Sequence, residues 1–298
     1  MNRLWRSLTT CLLLSLVVGC ARVDELSDGF KPVIGVSLLT SDNQFFTDMA
    51  RGMSETGMKN GYEVIIQYGE LDVSRQMDQV DTFIERRVAA IILCPVQSKS
   101  DDETLRNTLE ASILEANRAG IPVFTADVAV LAKNVDIVSH VATDNFRGGQ
   151  LAAEAMADAL DGDGRIAIID HPDVESVILR TRGFEQRLAQ LQMQQGVQVE
   201  IVARVPGNGS YVRSMEVTES ILATHQELDG IYAINDPSAL GAVAALKQAG
   251  RLSDVAVIGF DGQQDAIDAF NAGEIAADVR QHPDLIGEIA ILSVVDYR

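Results

Sequence analysis

Asn43, Asp127, Asn235 and Asp261 share one setting in this sequence: each follows a short apolar run, Asn43 after a brief loop. Cys94, Asp170, Asp236 and the pair Arg280-Gln281 stand in the same position after other runs. The set is rich in carboxylates and amides, short planar groups that donate and accept hydrogen bonds in fixed directions. Phe45 and Phe46 lie two and three residues beyond Asn43. Hydroxyl groups need both donors and acceptors, and the apolar face of a sugar ring packs on an aromatic face. The combination suits a small, neutral, polyhydroxylated ligand. A competing use for any one of these polar residues is to cap the helix that follows it.

Other chemistries lack their signatures. There is no Ser-His-Asp order, no Gly-x-Ser-x-Gly elbow, and neither phosphate-loop nor dinucleotide glycine spacing. His140, His171, His225 and His282 are scattered, with no pair at metal-ligand spacing, so neither a metal nor a cofactor is expected. Asp127 and Asp261 could act as paired carboxylates of a hydrolase, a reading with only the abundance of acids behind it.

The elements that must position these residues follow one rhythm from Pro32 onward, short apolar runs alternating with longer amphipathic stretches. That pattern predicts βα units around parallel sheets. Strands are expected at Val33–Leu38, Tyr62–Gln67, Ala89–Cys94, Val123–Ala126, Arg165–Asp170, Val197–Val205, Gly230–Ile234, Val255–Phe260 and Ile275–Val279. Leu105, Leu109 and Ile113 recur every four residues, as do Phe45, Met49 and Met53, which predicts helices between the strands. Asp236-Pro237 supplies a capping side chain and a first-turn proline ahead of Ala239–Ala249. Met49, Met53, Met58 and Met77 read as core. In open parallel sheets ligands bind beyond the carboxyl ends of the strands, where the polar residues above fall. The length suggests two lobes.

Met1–Cys20 reads as an export signal. Arg3 and Arg6 give a positive start, Leu12–Val18 an apolar run too short to span a bilayer, and Val17-Val18-Gly19-Cys20 a lipobox that would leave Cys20 lipidated. Residues 21–31 read as a tether. Removing Arg3 and Arg6 with the signal takes the formal net charge from −19 to −21. Such acidity offers no footprint for nucleic acid, and contact with the membrane is expected only through the lipid anchor. With Cys11 removed and Cys20 acylated, Cys94 alone remains and no intramolecular disulfide can form.

Seven segments resemble, in order and at matching spacing, the periplasmic sugar-binding proteins of ABC transporters, the ribose-binding group above all. They are Asn43-Gln44-Phe45-Phe46; Ile121–Ala126 with Asp127; Ser139–Asn145; Arg180-Thr181-Arg182-Gly183-Phe184; Ala233-Ile234-Asn235-Asp236; Gly259-Phe260-Asp261-Gly262; and Gln281–Gly287. The resemblance implies a type I periplasmic binding protein fold, α/β, with two doubly wound parallel-sheet lobes joined by a hinge. Residues 32–142 with 282–298 would form the first lobe and 143–281 the second. Asn43, Phe45, Phe46 and Asp127 would bind the ligand from the first lobe, Arg180, Asn235 and Asp261 from the second, with Gln281 at a crossover. It further implies a monomer that delivers a monosaccharide or polyol to a membrane permease.

The sequence departs from ribose binders where they carry an amide and this chain Cys94, an arginine and this chain Val128, and an aromatic near Gly209. Those losses should disfavour ribose itself, since a buried hydroxyl without its partner costs about 1–3 kcal/mol. Tyr211 is the candidate to supply the missing ring, and Cys94 a second-rank ligand contact. The family pattern continues by one strand and a crossover beyond Arg298, so the C-terminal end reads as truncated. Delivery to a permease and presentation to a chemoreceptor or sensor kinase stay open as alternatives. A repressor of the same fold does not, because no basic helix-turn-helix precedes Val33.

Overall fold

The computed structural model describes residues 31–96 and 103–298, with the backbone alone for 103–108. The export signal 1–20, the acylation site Cys20 and the tether up to residue 30 lie outside the described residues. Strands β1 (Val33–Leu38), β2 (Glu63–Tyr68), β3 (Ala90–Leu93), β4 (Val123–Ala126) and β5 (His140–Val141) form one parallel sheet in the order β2-β1-β3-β4-β5. Strands β6 (Asp163–Asp170), β7 (Gln198–Pro206), β8 (Gly230–Ala233), β9 (Ala256–Asp261) and β10 (Ala277–Arg280) form a second, in the order β10-β9-β8-β6-β7. Counted from its own first strand, the second sheet repeats the order of the first, although no sequence repeat announces it. The fold is therefore two parallel-sheet α/β lobes, as expected.

Helices α1 (Gln44–Lys59), α2 (Val73–Glu85) and α3 (Glu103–Arg118) link the strands of the first sheet. Helices α4 (Asn145–Ala159), α5 (Glu175–Gln195), α6 (Tyr211–Thr224), α7 (Asp236–Ala249) and α8 (Gln264–Asn271) serve the second. Helix α9 (Pro283–Tyr297) follows the second sheet in sequence yet packs on α1, β4 and β5 of the first. Its seat is fixed by two glycines: a Cβ at Gly52 would collide with the Asp284 carbonyl, and one at Gly287 with the Met49 carbonyl. The two helices approach at backbone distance, and Tyr297 closes edge-on over Phe124 at 5.8 Å.

The core follows the apolar runs. Every residue of β3, β4 and β8 is buried, as parallel strands covered on both faces require. Met49 and Met53 are buried as expected, whereas Met58, in the last turn of α1, is 65% exposed. Helix α7 begins one residue earlier than the proline pattern suggests. Asn235, not Asp236, is its cap, accepting from the Ser238 amide at 3.0 Å. Among the described residues no helix is long and apolar enough to cross a membrane.

Candidate functional site

Asp127 directly follows the fourth strand of its sheet and Asp261 ends the fourth strand of the other, and both hold a positive φ, +61° and +130°. Backbone in that region is costly for residues with a side chain and persists where surrounding structure imposes it. Here the turn leaves each strand and aims a carboxylate into the space between the sheets. A cavity of about 400 Å3 lies there, lined from the first lobe by Asn43, Phe45, Phe46 and Asp127, and from the second by Arg180, Asn235, Asp261 and Tyr211, with Gln281 at the return crossing. The structure thus brings together eight residues expected at the site, and Tyr211 at its half-exposed rim.

The caps do double service. Asn43 Oδ1 accepts from the Phe45 amide at 2.9 Å and starts α1, so the capping use and the cleft position coexist in one side chain. Asn235 does the same for α7, while its Nδ2 donates to the Gly209 carbonyl at 3.3 Å. Phe45 and Phe46 meet edge to face, with ring centroids 5.2 Å apart, and form one aromatic corner.

Arg180 is the organising cation. Its Nε donates to Asn145 Oδ1 at 2.8 Å, and its Nη1 donates to the Ile234 carbonyl at 2.7 Å and to Asp261 Oδ1 at 3.2 Å. The guanidinium carbon sits 3.9 Å above the Phe260 ring. Nη2 makes no hydrogen bond among the described residues. Gln281 Nε2 reaches the same Asp261 oxygen at 2.6 Å, and Gln281 Oε1 accepts from Thr143 Oγ1 at 2.5 Å. Thr143 and Gln281 lie on the two passages of the chain between the sheets. One polar chain therefore links both crossings to the cleft.

The two carboxylates differ in what they have left to offer. Asp261 has Arg180, Gln281 and, at 3.3 Å, Gln263 as donors. Asp127 Oδ1 is buried without a partner, and Oδ2 meets only the Cys94 thiol at 3.8 Å. Burial raises the Asp127 carboxyl to about 6 despite the opposing pull of Arg180. It raises Asp261 as well, against the same guanidinium. Asp127 is the acceptor with most unfilled capacity.

Several expectations change. Cys94 does not line the cavity but lies buried behind Asp127, and burial pushes its thiol well up. The Asp170 carboxylate is taken up by Arg204, Thr181 and the His171 amide. Asp236 turns away from the cavity: its Oδ2 accepts from the Gln263 amide at 2.6 Å, and its Oδ1 faces the Asp278 carboxyl beside Gly259. Burial and the neighbouring carboxylates raise Asp236 to about 10, while Asp278 is raised to about 6, mainly by burial. Sequence reasoning missed the apolar lining from Leu39, Leu71, Val174 and Val177, and it missed His171, whose ring burial lowers its basicity. Among the described residues no cluster of three or more His, Cys, Asp or Glu side chains could hold a metal ion.

Three comparisons bear on this cleft. A family model described as "Periplasmic binding protein domain" matches residues 34–297. The ribose import binding protein of Bacillus subtilis is 30% identical over 258 residues, covering 86% of this chain and 78% of that protein. Among solved structures, an ABC transporter solute-binding protein from Bacillus halodurans with bound myo-inositol superposes with a TM-score of 0.79 at 30% identity, over 91% of this chain and 90% of that one. A periplasmic solute-binding protein from Actinobacillus succinogenes with bound D-allose gives 0.80 at 29% identity, over 90% of this chain and 91% of that one.

Proposed function

The chain belongs to the periplasmic binding protein domain family, and on that premise we propose that its cleft captures one monosaccharide or related polyol and delivers it to the permease of an ABC importer. It is a binding protein working outside the cytoplasmic membrane, and not an enzyme. One observation carries the ligand class: amides, carboxylates and one guanidinium converge from both lobes on a cavity with an aromatic corner. A ligand touching both lobes stabilises the closed arrangement by its differential affinity for it. Residues 32–142 with 282–298 are taken as one closing body and 143–281 as the other.

Within the cleft, Asp127 accepts from ligand hydroxyls through its unfilled oxygens, and Arg180 donates through Nη2 in a charge-assisted bond. Asn43, Asn235 and Gln281 fix hydroxyl directions, Phe45 and Phe46 receive the ring face, and Tyr211 covers the rim. Asp261 acts chiefly by holding Arg180 and Gln281. Val128 and Cys94 supply neither of the donors that ribose binders carry there, so a sugar with a different hydroxyl pattern is preferred.

A thermal-shift screen of residues 21–298 against pentoses, hexoses and polyols tests the reading. A ligand at 100 times its Kd adds about 2.7 kcal/mol, a rise of about 5–10 °C. A cooperative melt that no sugar or polyol moves would sink it. The membrane attachment is assigned to Cys20 by the sequence pattern alone. Fatty-acid labelling of the full chain in cells should be abolished by Cys20→Ala, and labelling that persists would refute the anchor.

A further inference from the structure

We propose that Gln263 is an interlobe latch, a positioning residue that touches no ligand and holds the cleft closed by bridging Asn43 of the first lobe to Asp261 of the second. Its Nε2 lies 2.9 Å from Asn43 Oδ1 and 3.3 Å from Asp261 Oδ2. An amide nitrogen carries two hydrogens, so one side chain serves an acceptor on each lobe at once. The proposal rests on the sugar-binding reading for its consequence, though not for its geometry.

Three features make this a device rather than a passing contact. The root of the side chain is fixed, because the Gln263 amide donates to the buried Asp236 Oδ2 at 2.6 Å and the residue sits at the N-terminal boundary of α8. Gln263 is absent from the 400 Å3 cavity and lines instead a recess of about 130 Å3 on its flank, beside Phe45, Asp261 and Gln281. It therefore closes the wall from outside. Finally, the bridge completes Asn43, whose Oδ1 accepts from the Phe45 amide and from Gln263 together.

A bond present only when the lobes meet biases the open–closed equilibrium without adding ligand contact. Its loss should appear in release rather than capture, since affinity changes within one interface fall mostly on koff. Gln263→Ala removes both donors. Gln263→Glu places a carboxylate against Asp261 and the Asn43 carbonyl oxygen, and should open the cleft further.

The test measures binding kinetics of the best sugar from the panel, together with small-angle scattering of the sugar-free protein. For Gln263→Ala, koff should rise about tenfold with kon nearly unchanged, the equivalent of about 1.4 kcal/mol. Sugar-free Gln263→Glu should show a larger radius of gyration than the parent at an unchanged melting temperature. Unchanged koff and radius would overturn the latch, as would a raised koff with no change in the sugar-free radius, the mark of a direct ligand contact. Should no sugar bind the parent, the sugar-binding reading fails, and the scattering comparison decides the latch by itself.

Discussion

Arg180→Met is expected to lower stability by about 3–5 kcal/mol and to abolish sugar binding in the same variant. The guanidinium and the Asp261 carboxylate are both about 5% exposed, and the pair stands 3.2 Å apart. Such a pair contributes little net stability when intact, because desolvation offsets attraction. Removing one member leaves the other charged and buried, and that is the large effect. Asp261 would keep only the Gln281 and Gln263 amides, while Asn145 Oδ1 and the Ile234 carbonyl each lose a donor. Methionine fills much of the volume above Phe260 and separates lost charge from lost packing. Urea denaturation read by circular dichroism measures the first effect and calorimetric titration the second. A variant that melts within about 2 °C of the parent, less than a 1 kcal/mol change predicts for this size, would show that Asp261 had taken up a proton or a water at little cost.

Asp127→Asn should act in opposite directions on binding and on stability. Asparagine tolerates the positive φ of this position better than most residues, so the turn should survive. Charge-assisted acceptance of ligand hydroxyls is lost, and affinity should fall about 100-fold or more, about 2.7 kcal/mol. The sugar-free protein should meanwhile become more stable at neutral pH. The folded Asp127 carboxyl is raised from 3.8 to about 6 by burial, so the folded state holds this proton more tightly than the unfolded chain does. Its penalty is absent below pH 4, grows as pH rises to about 6, and stays in full above that. The parent should therefore lose stability over that window while Asp127→Asn loses less. Asp278 and Asp236 are raised too and keep part of the slope in both proteins. Melting curves from pH 4 to 8 check the sign. A variant less stable than its parent at pH 8 would show that the ionised carboxylate is held by partners not accounted for.

Much of this site was legible because parallel βα topology does the aiming. Asn43, Asp127, Asn235 and Asp261 follow strands whose carboxyl ends face one another across the cleft, and Gln281 follows β10 into the return crossing. Position after a strand does not say whether a carboxylate is free. Asp170 and Asp236 share the spacing of Asp127, yet one is claimed by Arg204 on the edge strand β7 and the other by the Gln263 amide just ahead of α8. Those partners are distant in sequence and carry no local signal. Gln263 was illegible for the same reason, its partner Asn43 standing 220 residues away. The limits of β1 and β4 match the expected ranges, the other expected strands are off by one or two residues at one end or both, and the two-residue β5 has no periodicity to read. Met58 reads as core with Met49 and Met53, but it stands five residues past Met53, about 140° round the helix, and faces solvent.

The late position of α9 orders the birth of the molecule. The residues it buries, Met49 and Met53 on α1 and Phe124 on β4, leave the ribosome long before Ile286, Ala290 and Val294 that cover them. The second sheet and its helices run without interruption from α4 to β10. The first does not, since its last wall arrives only after the second lobe is complete. A contact of such sequence separation also pays the largest chain-closure cost, so it forms slowly. The face of the first sheet that α9 covers therefore stays open until the second sheet has been made.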